Sequence, residues 1–389
     1  MINQRVFIIL LTLLLAACKS PTSTPPTPSL LRDSSPIPTL TFTPTHTLVP
    51  AATPQPTSSR TLTPSVTLPP TKTLAPTSLP RTTLLFTGII VPARCVQAAI
   101  DERGDTDYLY DEIRGIITEA DLAVGTLNAT ISDYPPHTGC VPTLVLVGGS
   151  GNADALERAG FNVMSVATNH IKNCGPGNCG DRAFLDTLDN LSRVGITPVG
   201  AGLNHAEAMQ PVVVELNGVR FGIVSLGHIE PMAFAGEDTP GIAVLDEENL
   251  RAAIADARQV SDIVIAMPHW GPENSAAPGW WQMALAEVAV DAGADLAVGN
   301  HTHVVQAYEE IDGVMVFYGL GNFVFDQVWP PDHTQGVILL VTYEGPNLVD
   351  FEFIPTYFDL DGTVHIADPE QSAEILARIE TARKALPNR

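Results

Sequence analysis

Short, uninterrupted apolar runs recur along the chain from residue 84 onwards, and most end at a polar residue. "ADLAVGT" (120–126) leads to Asn128, and "FNVMSVAT" (161–168) to Asn169 and His170. "VRFGIVSLG" (219–227) leads to His228, "SDIVIAMP" (261–268) to His269, and "ADLAVGN" (294–300) to His301 and His303. The first run, "TLLFTG" (83–88), is the exception and leads to Ile89. Runs that are apolar throughout, rather than alternating, predict strands covered on both faces. Between them lie segments with apolar spacing near one helical turn: "NADALERAG" (152–160), "DRAFLDTLDNLSRVG" (181–195), "DEENLRAAIADARQV" (246–260) and "WWQMALAEVAVDAG" (280–293). Three open on Asn or Asp and three close on Gly, the ordinary start and stop signals. Strands alternating with helices predict an α/β fold with a largely parallel sheet. Near the C-terminus, "GVMVFYGLG", "GVILLVTYEG" and "LVDFEFIPTYFD" read as strands without helices between them, an antiparallel addition. Residues 369–386 read as a terminal helix.

Two segments precede this pattern. "MINQRVFIILLTLLLAACKS" has one basic residue and then an apolar run too short to span a bilayer. It reads as an export signal, and Leu15-Ala16-Ala17-Cys18 resembles a bacterial lipobox with Cys18 as the lipidated residue. Residues 19–83 are dominated by Pro, Thr and Ser, a composition that buries too little apolar surface to offset its ordering entropy. The expected organisation is a signal at 1–18, an extended stalk at 19–83, one globular domain at 84–368 and a terminal helix at 369–389. The expected location is extracytoplasmic, tethered to the cell membrane by lipid.

The formal net charge is −23. Nucleic acid is therefore excluded as a charge-driven partner. Outside the cytosol, Cys95, Cys140, Cys174 and Cys179 suggest two disulfides. "CGPGNC" could close a small Cys174–Cys179 loop, leaving Cys95 with Cys140.

In open α/β sheets, ligands gather beyond the carboxyl ends of the strands. Asn169, His170, His269, His301 and His303 all fall at such ends, and imidazole and amide oxygen suit Zn, Mn or Fe. A lone His-x-His is a weak signal; four histidines and an Asn sharing one predicted rim carry the weight. His205, His228 and His365 lack that company and read as structural or surface residues. Trp280 and Trp281 read as core or rim packing, and Glu273 as a solvated loop charge.

The ordered set "TGIIVPAR" (87–94), "GTLN" (125–128), "ATNH" (167–170), "HWGPE" (269–273), "GNHTH" (299–303) and "GLGNFVFD" (319–326) resembles the CapA, or poly-γ-glutamate capsule synthesis, family within the calcineurin-like metallophosphatases. The resemblance implies a four-layer α/β/β/α sandwich with a divalent metal site between its sheets. By that likeness Asn169, His269 and His301 would hold one metal, His303 would help to hold another, Asn128 would stand at a bridging position, and His170 would act near the leaving-group oxygen. "GLGNF" would form a tight turn supporting the site. Three departures stand out: Ile89 where the family has Asp, Asn128 where it has Glu, and Asn173 where it often has Asp. Fewer carboxylates mean poorer neutralisation of two dications, so one ion (Mn, Zn or Fe) is expected rather than two. Two functions follow. One is a metal-dependent, hydrolase-like protein of capsule or poly-γ-glutamate production or export, working with an anionic polymer or with capsule-synthesis membrane proteins. The other is a non-catalytic protein binding a polymer or partner at the surface.

Overall fold

The computed structural model describes residues 79–174, 181–229 and 233–387. Cys18, nearly all of the Pro/Thr-rich segment and Cys179 lie outside the described residues. The apolar runs become the strands Arg81–Ile90, Leu122–Leu127, Val163–Ser165, Val219–Gly227, Ile263–His269 and Leu296–Val298. They divide between two sheets. The larger has eight strands, with Arg81–Ile90, Leu122–Leu127, Val163–Ser165 and Thr197–Val199 side by side and parallel. Its other half is antiparallel and built from Gln335–Glu344, Asn347–Phe358 and Val364–Ile366, the helix-free C-terminal segment. The smaller sheet has six strands. Val219–Gly227, Ile263–His269, Leu296–Val298 and Val314–Phe317 run parallel at its centre.

Successive residues on a strand face opposite sides, so each run feeds two cores. Leu84 and Phe86 pack in one cluster with Val124, Phe221, Ile223, Ile265 and Met267, residues of both sheets. Leu85 turns the other way, towards Val96, Ile117, Leu156 and Phe184 on helices. Val224, Leu226, Val264 and Ala266 of the smaller sheet meet Leu250, Ile254, Leu285 and Ala289 on helices Glu247–Val260 and Trp280–Asp291. Three cores between four layers give helix, sheet, sheet, helix. That is the α/β/β/α sandwich.

Local signals set the ends. Asp246 caps its helix by accepting a hydrogen bond from the Asn249 amide at 2.8 Å, and Asp368 caps Pro369–Lys384 through the amides of Glu370 and Gln371. That last helix is part of the fold: Ile375 and Ile379 are buried in the inter-sheet core. The first strand begins at Arg81, inside the segment read as stalk, because Arg81 and Thr82 pair with Glu344 and Tyr343. The periodicity did not reveal Cys95–Arg103, whose buried face includes the polar Gln97 beside Val96 and Ile100, or Arg114–Glu119, which has too few turns for an apolar repeat. A disulfide joins Cys95 to Cys140. Cys174 is also disulfide-bonded, and the Cys174–Cys179 pairing reaches outside the described residues. Among the described residues, no helix is long and apolar enough to cross a membrane.

Phe221 is fully buried between the sheets and meets Tyr343 edge to face, with ring centroids 5.3 Å apart. Phe221→Ala is expected to lower stability by about 3–5 kcal/mol, through lost transfer energy and an unfilled cavity. The check is a shift of the urea midpoint.

Candidate metal centre

The carboxyl ends of the central strands of both sheets meet along one seam. Ser165 and Ser225, one from each sheet, hydrogen-bond at 2.7 Å, and the Asn300 amide donates to Thr126 Oγ1 at 2.8 Å. Asn169 and His269 bridge the same seam, with Asn169 Oδ1 2.9 Å from His269 Nε2. His301 Nδ1 lies 3.3 Å from that same ring nitrogen. Asn169, His269 and His301 are all buried. The close approach of the first strand to the far side of the site needs a glycine: a Cβ on Gly88 would stand 2.3 Å from the Gly321 carbonyl oxygen.

His269 Nε2 faces two partners, and a neutral ring nitrogen carries either one proton or one lone pair. If it donates to Asn169 Oδ1, it cannot accept from His301 and can only share that one proton with His301 Nδ1 in a longer three-centre bond. If it accepts from His301, it opposes a carbonyl oxygen with no proton between them. Turning the Asn169 amide over only moves the conflict, since one lone pair would then face two donors. A divalent cation accepts all three lone pairs at once. The imidazole and amide-oxygen set suits Zn, Mn or Fe, so these residues fit one ion.

The remaining groups fix their tautomers by hydrogen bonds. Asn322 Nδ2 donates to the His333 carbonyl at 2.9 Å, so its Oδ1 accepts from His303 Nδ1–H at 2.9 Å. The lone pair of His303 is therefore on Nε2. Asn173 Nδ2 donates to His170 Nδ1 at 2.6 Å, which puts the His170 proton on Nε2. Asn128 Oδ1 accepts the His170 backbone N–H at 3.0 Å, and its buried Nδ2 has no partner. Glu273 Oε1 lies 3.9 Å from His301 Nε2 and 4.0 Å from His303 Nε2, with its side chain 46% exposed. It is a charge facing the site rather than a purely solvated one. Ile89 is fully buried in the apolar cluster beneath the helices and offers no ligand to a second ion. Among the described residues, no three His, Cys, Asp or Glu side chains assemble as a metal-binding group; the convergent set depends on the Asn169 amide.

The loop carrying the two histidines is strained. His301 has φ 107° and His303 φ 62°, and Arg94 has φ 53°. Left-handed backbone at residues with a Cβ costs on the order of 1–3 kcal/mol and collects at functional sites. Asn217 and Asp312 also have positive φ, but each precedes a Gly in a two-residue hairpin that requires it. Arg94 is held by Asp326 and by the Thr143 carbonyl, and its guanidinium lies 5.0 Å from the centre of the Phe325 ring. His303 stacks on the other ring contacts of that corner, Phe325 and His333.

Burial holds all four imidazoles neutral. It pushes His170 down to about 4, with His303 and Arg94 adding to the shift. Burial also brings His303 to about 4, against the opposing effect of its bond to Asn322. Burial, and then the neighbouring histidines, keep His269 and His301 well below the usual range. Their lone pairs are thus free for a cation at neutral pH. In the unfolded chain these rings protonate near pH 6.5, while the folded chain resists protonation until about pH 4. The unfolded state binds more protons in that window, so stability is full above about pH 6.5 and falls as the pH drops towards 4. Denaturation midpoints measured across this range in the presence of a chelator are expected to fall, and less steeply for His303→Asn.

The structure places Asn169, His170, His269, His301 and His303 near one another. It corrects the reading of His228. The strand ending in Gly227 lies beside the one ending in His269, so His228 reaches the rim, its ring 6.4 Å from that of His301. Trp281 meets His228 with ring centroids 4.3 Å apart and planes inclined by 46°, whereas Trp280 is 77% exposed and packs no core. His365 lies between Glu112 and Asp359, a surface role. Asn322, Arg94 and Asp326 lay inside quoted motifs, yet only their partners, remote in sequence, give them a role.

Residues 83–327 match the family model described as bacterial capsule synthesis protein PGA_cap. The chain is 29% identical over 246 residues to the PGA biosynthesis protein CapA of Bacillus subtilis, covering 63% of each chain. It is 30% identical over 258 residues to the capsule biosynthesis protein CapA of Bacillus anthracis, covering 64% of this chain and 61% of that one. The alignments thus span less than two thirds of those relatives' lengths. A solved phosphatase of Mycoplasma pneumoniae is similar over 76% of this chain and 97% of its own, with 13% identity and a TM-score of 0.46. The sandwich, its ordered strand-end motifs and the match over most of the folded part lead to one conclusion: this chain belongs to the bacterial capsule synthesis protein family PGA_cap.

Proposed function

We propose that this protein is a surface-anchored component of capsule or poly-γ-glutamate production, with a hydrolase-type site that uses one divalent metal. The observation carrying the metal is the convergence at His269 Nε2, where Asn169 Oδ1 at 2.9 Å and His301 Nδ1 at 3.3 Å bring three possible donor atoms to one place. Asn169, His269 and His301 would hold the ion. When bound, a divalent cation there supplies Lewis acidity towards a phosphoryl or carbonyl oxygen. His301 must present Nδ1 to it, which requires the proton on Nε2, and Glu273 places its negative charge on that side, 3.9 Å away. His170, its Nδ1 engaged by Asn173, presents Nε2–H as a hydrogen-bond donor to an oxygen bearing developing charge. The lipobox-like Cys18 and the Pro/Thr-rich segment support tethering to the outer face of the membrane. The acidic chain favours membrane proteins of capsule synthesis over the polyanionic polymer itself as the tight partner.

The second reading, a non-catalytic binding protein, is favoured by the burial of Ile89 and by the amide at Asn128, which together remove two carboxylates from the site. Elemental analysis of protein purified without chelator separates the two. One ion per chain is expected, lost in His301→Ala and bound about tenfold more weakly in Glu273→Gln. Absence of bound metal after incubation with Mn or Zn would remove the hydrolase reading. Ile89→Asp then becomes informative. In the non-catalytic reading it creates metal binding and phosphoesterase activity absent from the wild type; in the one-metal reading the wild type already has both.

A further inference from the structure

Beside the metal centre lies a pocket of about 440 Å³, walled by His228, Pro272, Gly279, Trp280, Trp281 and Gln282. It is built rather than incidental. Gln282 is fully buried, accepts from the Gly279 amide at 2.8 Å and donates to Gln306 at 2.9 Å. Gln306 in turn donates to the Ser275 carbonyl at 2.7 Å, so the loop over the pocket is stitched to the helix that opens with the tryptophans. Trp281 is set by its tilted ring contact with His228, and Trp280 is left 77% exposed at the mouth, although a side chain of that size is ordinarily sheltered.

The chemistry of the wall narrows the occupant. Among the described residues no Lys or Arg lines it, so an anion would find no counter-charge there. Several of its polar groups are already engaged: both ends of the Gln282 amide, the Gly279 N–H, and His228 Nδ1 facing the His269 carbonyl at 3.4 Å. Only His228 Nε2 and the two indole N–H groups are left among its side chains to read the hydroxyls of a sugar. What remains is two indole faces and a proline ring on a strongly acidic molecule. Asp33 is the sole acid before Leu79, so nearly all of the 43 acidic residues belong to the folded part. Glu273 follows Pro272 directly. Indole faces are the best aromatic partners of an organic cation, and a negative field draws one in.

We propose that this pocket binds an alkylammonium group, with Trp280 and Trp281 as its aromatic walls, and so selects a cationic substituent on whatever ligand approaches the His228 side of the site. The inference does not depend on metal or on hydrolysis, and its test is run with chelator present.

The full chain is titrated with choline and, separately, with its uncharged isostere 3,3-dimethylbutan-1-ol, following tryptophan fluorescence and heat. Choline is expected to bind saturably and about tenfold more tightly than the isostere, the size of a cation–π preference. Trp280→Ala, at an exposed position, should abolish that preference without lowering the thermal midpoint. Trp281→Phe should keep most of it, and Trp281→Ala should lose it. Equal binding of the two isosteres, no binding of choline, or an unchanged choline preference in Trp280→Ala would each overturn the proposal. Because chelator is present throughout, a protein that fails to bind metal can still pass, and one that binds metal can still fail.

Discussion

The packing of one sheet against the other is the constraint from which the site follows. The inter-sheet core is apolar for most of its extent, with Phe86, Val124, Phe221, Ile265 and Met267 interleaved. At the carboxyl ends of the strands it gives way to polar groups paired across the seam, Ser165 with Ser225, Thr126 with Asn300, and Asn169 with His269. A buried polar group left without a partner costs free energy comparable to a lost hydrogen bond. These pairs therefore hold the two sheets in one register, and that register decides which donor atoms converge.

The same burial has a second consequence. Imidazoles enclosed at the seam stay neutral, and neutral imidazoles are ligands. The enclosing walls supply few carboxylates: Ile89 and Asn128 stand where the family pattern has acids, and Asp326 is committed to Arg94 and the Cys95 amide. Glu273 is the acid nearest the two loop histidines, and it comes from a partly exposed loop. The charge available to the site matches one dication better than two. The strained backbone at His301 and His303 is tolerated because both flanks of the loop are tied down: Asn300 to Pro268 and Trp270, and Thr302 to Asn274 and Val304.

Much of this was legible in the sequence where a signal is local and repeated. Six apolar runs gave six strands, because a strand covered on both faces has no polar alternation to blur it. Capped, periodic segments gave the long helices. Two short helices went unread: Arg114–Glu119 holds too few turns to show a period, and the buried face of Cys95–Arg103 includes the polar Gln97, which breaks its apolar repeat. His228 went unread for a different reason: it ends a strand as the others do, but its nearness to His301 depends on which strand lies beside which. Trp280 was misplaced because a large aromatic residue is ordinarily sheltered, and here it is the first residue of its helix and stands 77% exposed.

By itself, then, the sequence determined the alternation of strands and helices, the strand-end clustering of Asn169, His170, His269, His301 and His303, the acidic character of the folded part, and the motif order that marks the family. These are properties of short windows or of composition. The tertiary structure alone decided that His269 Nε2 faces two partners at once, that Glu273 reaches two histidines, that Asn322 and Asn173 set the tautomers of His303 and His170, and that His228 and two tryptophans wall a pocket. Each of those facts depends on atoms from distant strands meeting within a few ångströms. Distances of that kind are fixed by how the sheets pack, not by the spacing of residues along the chain.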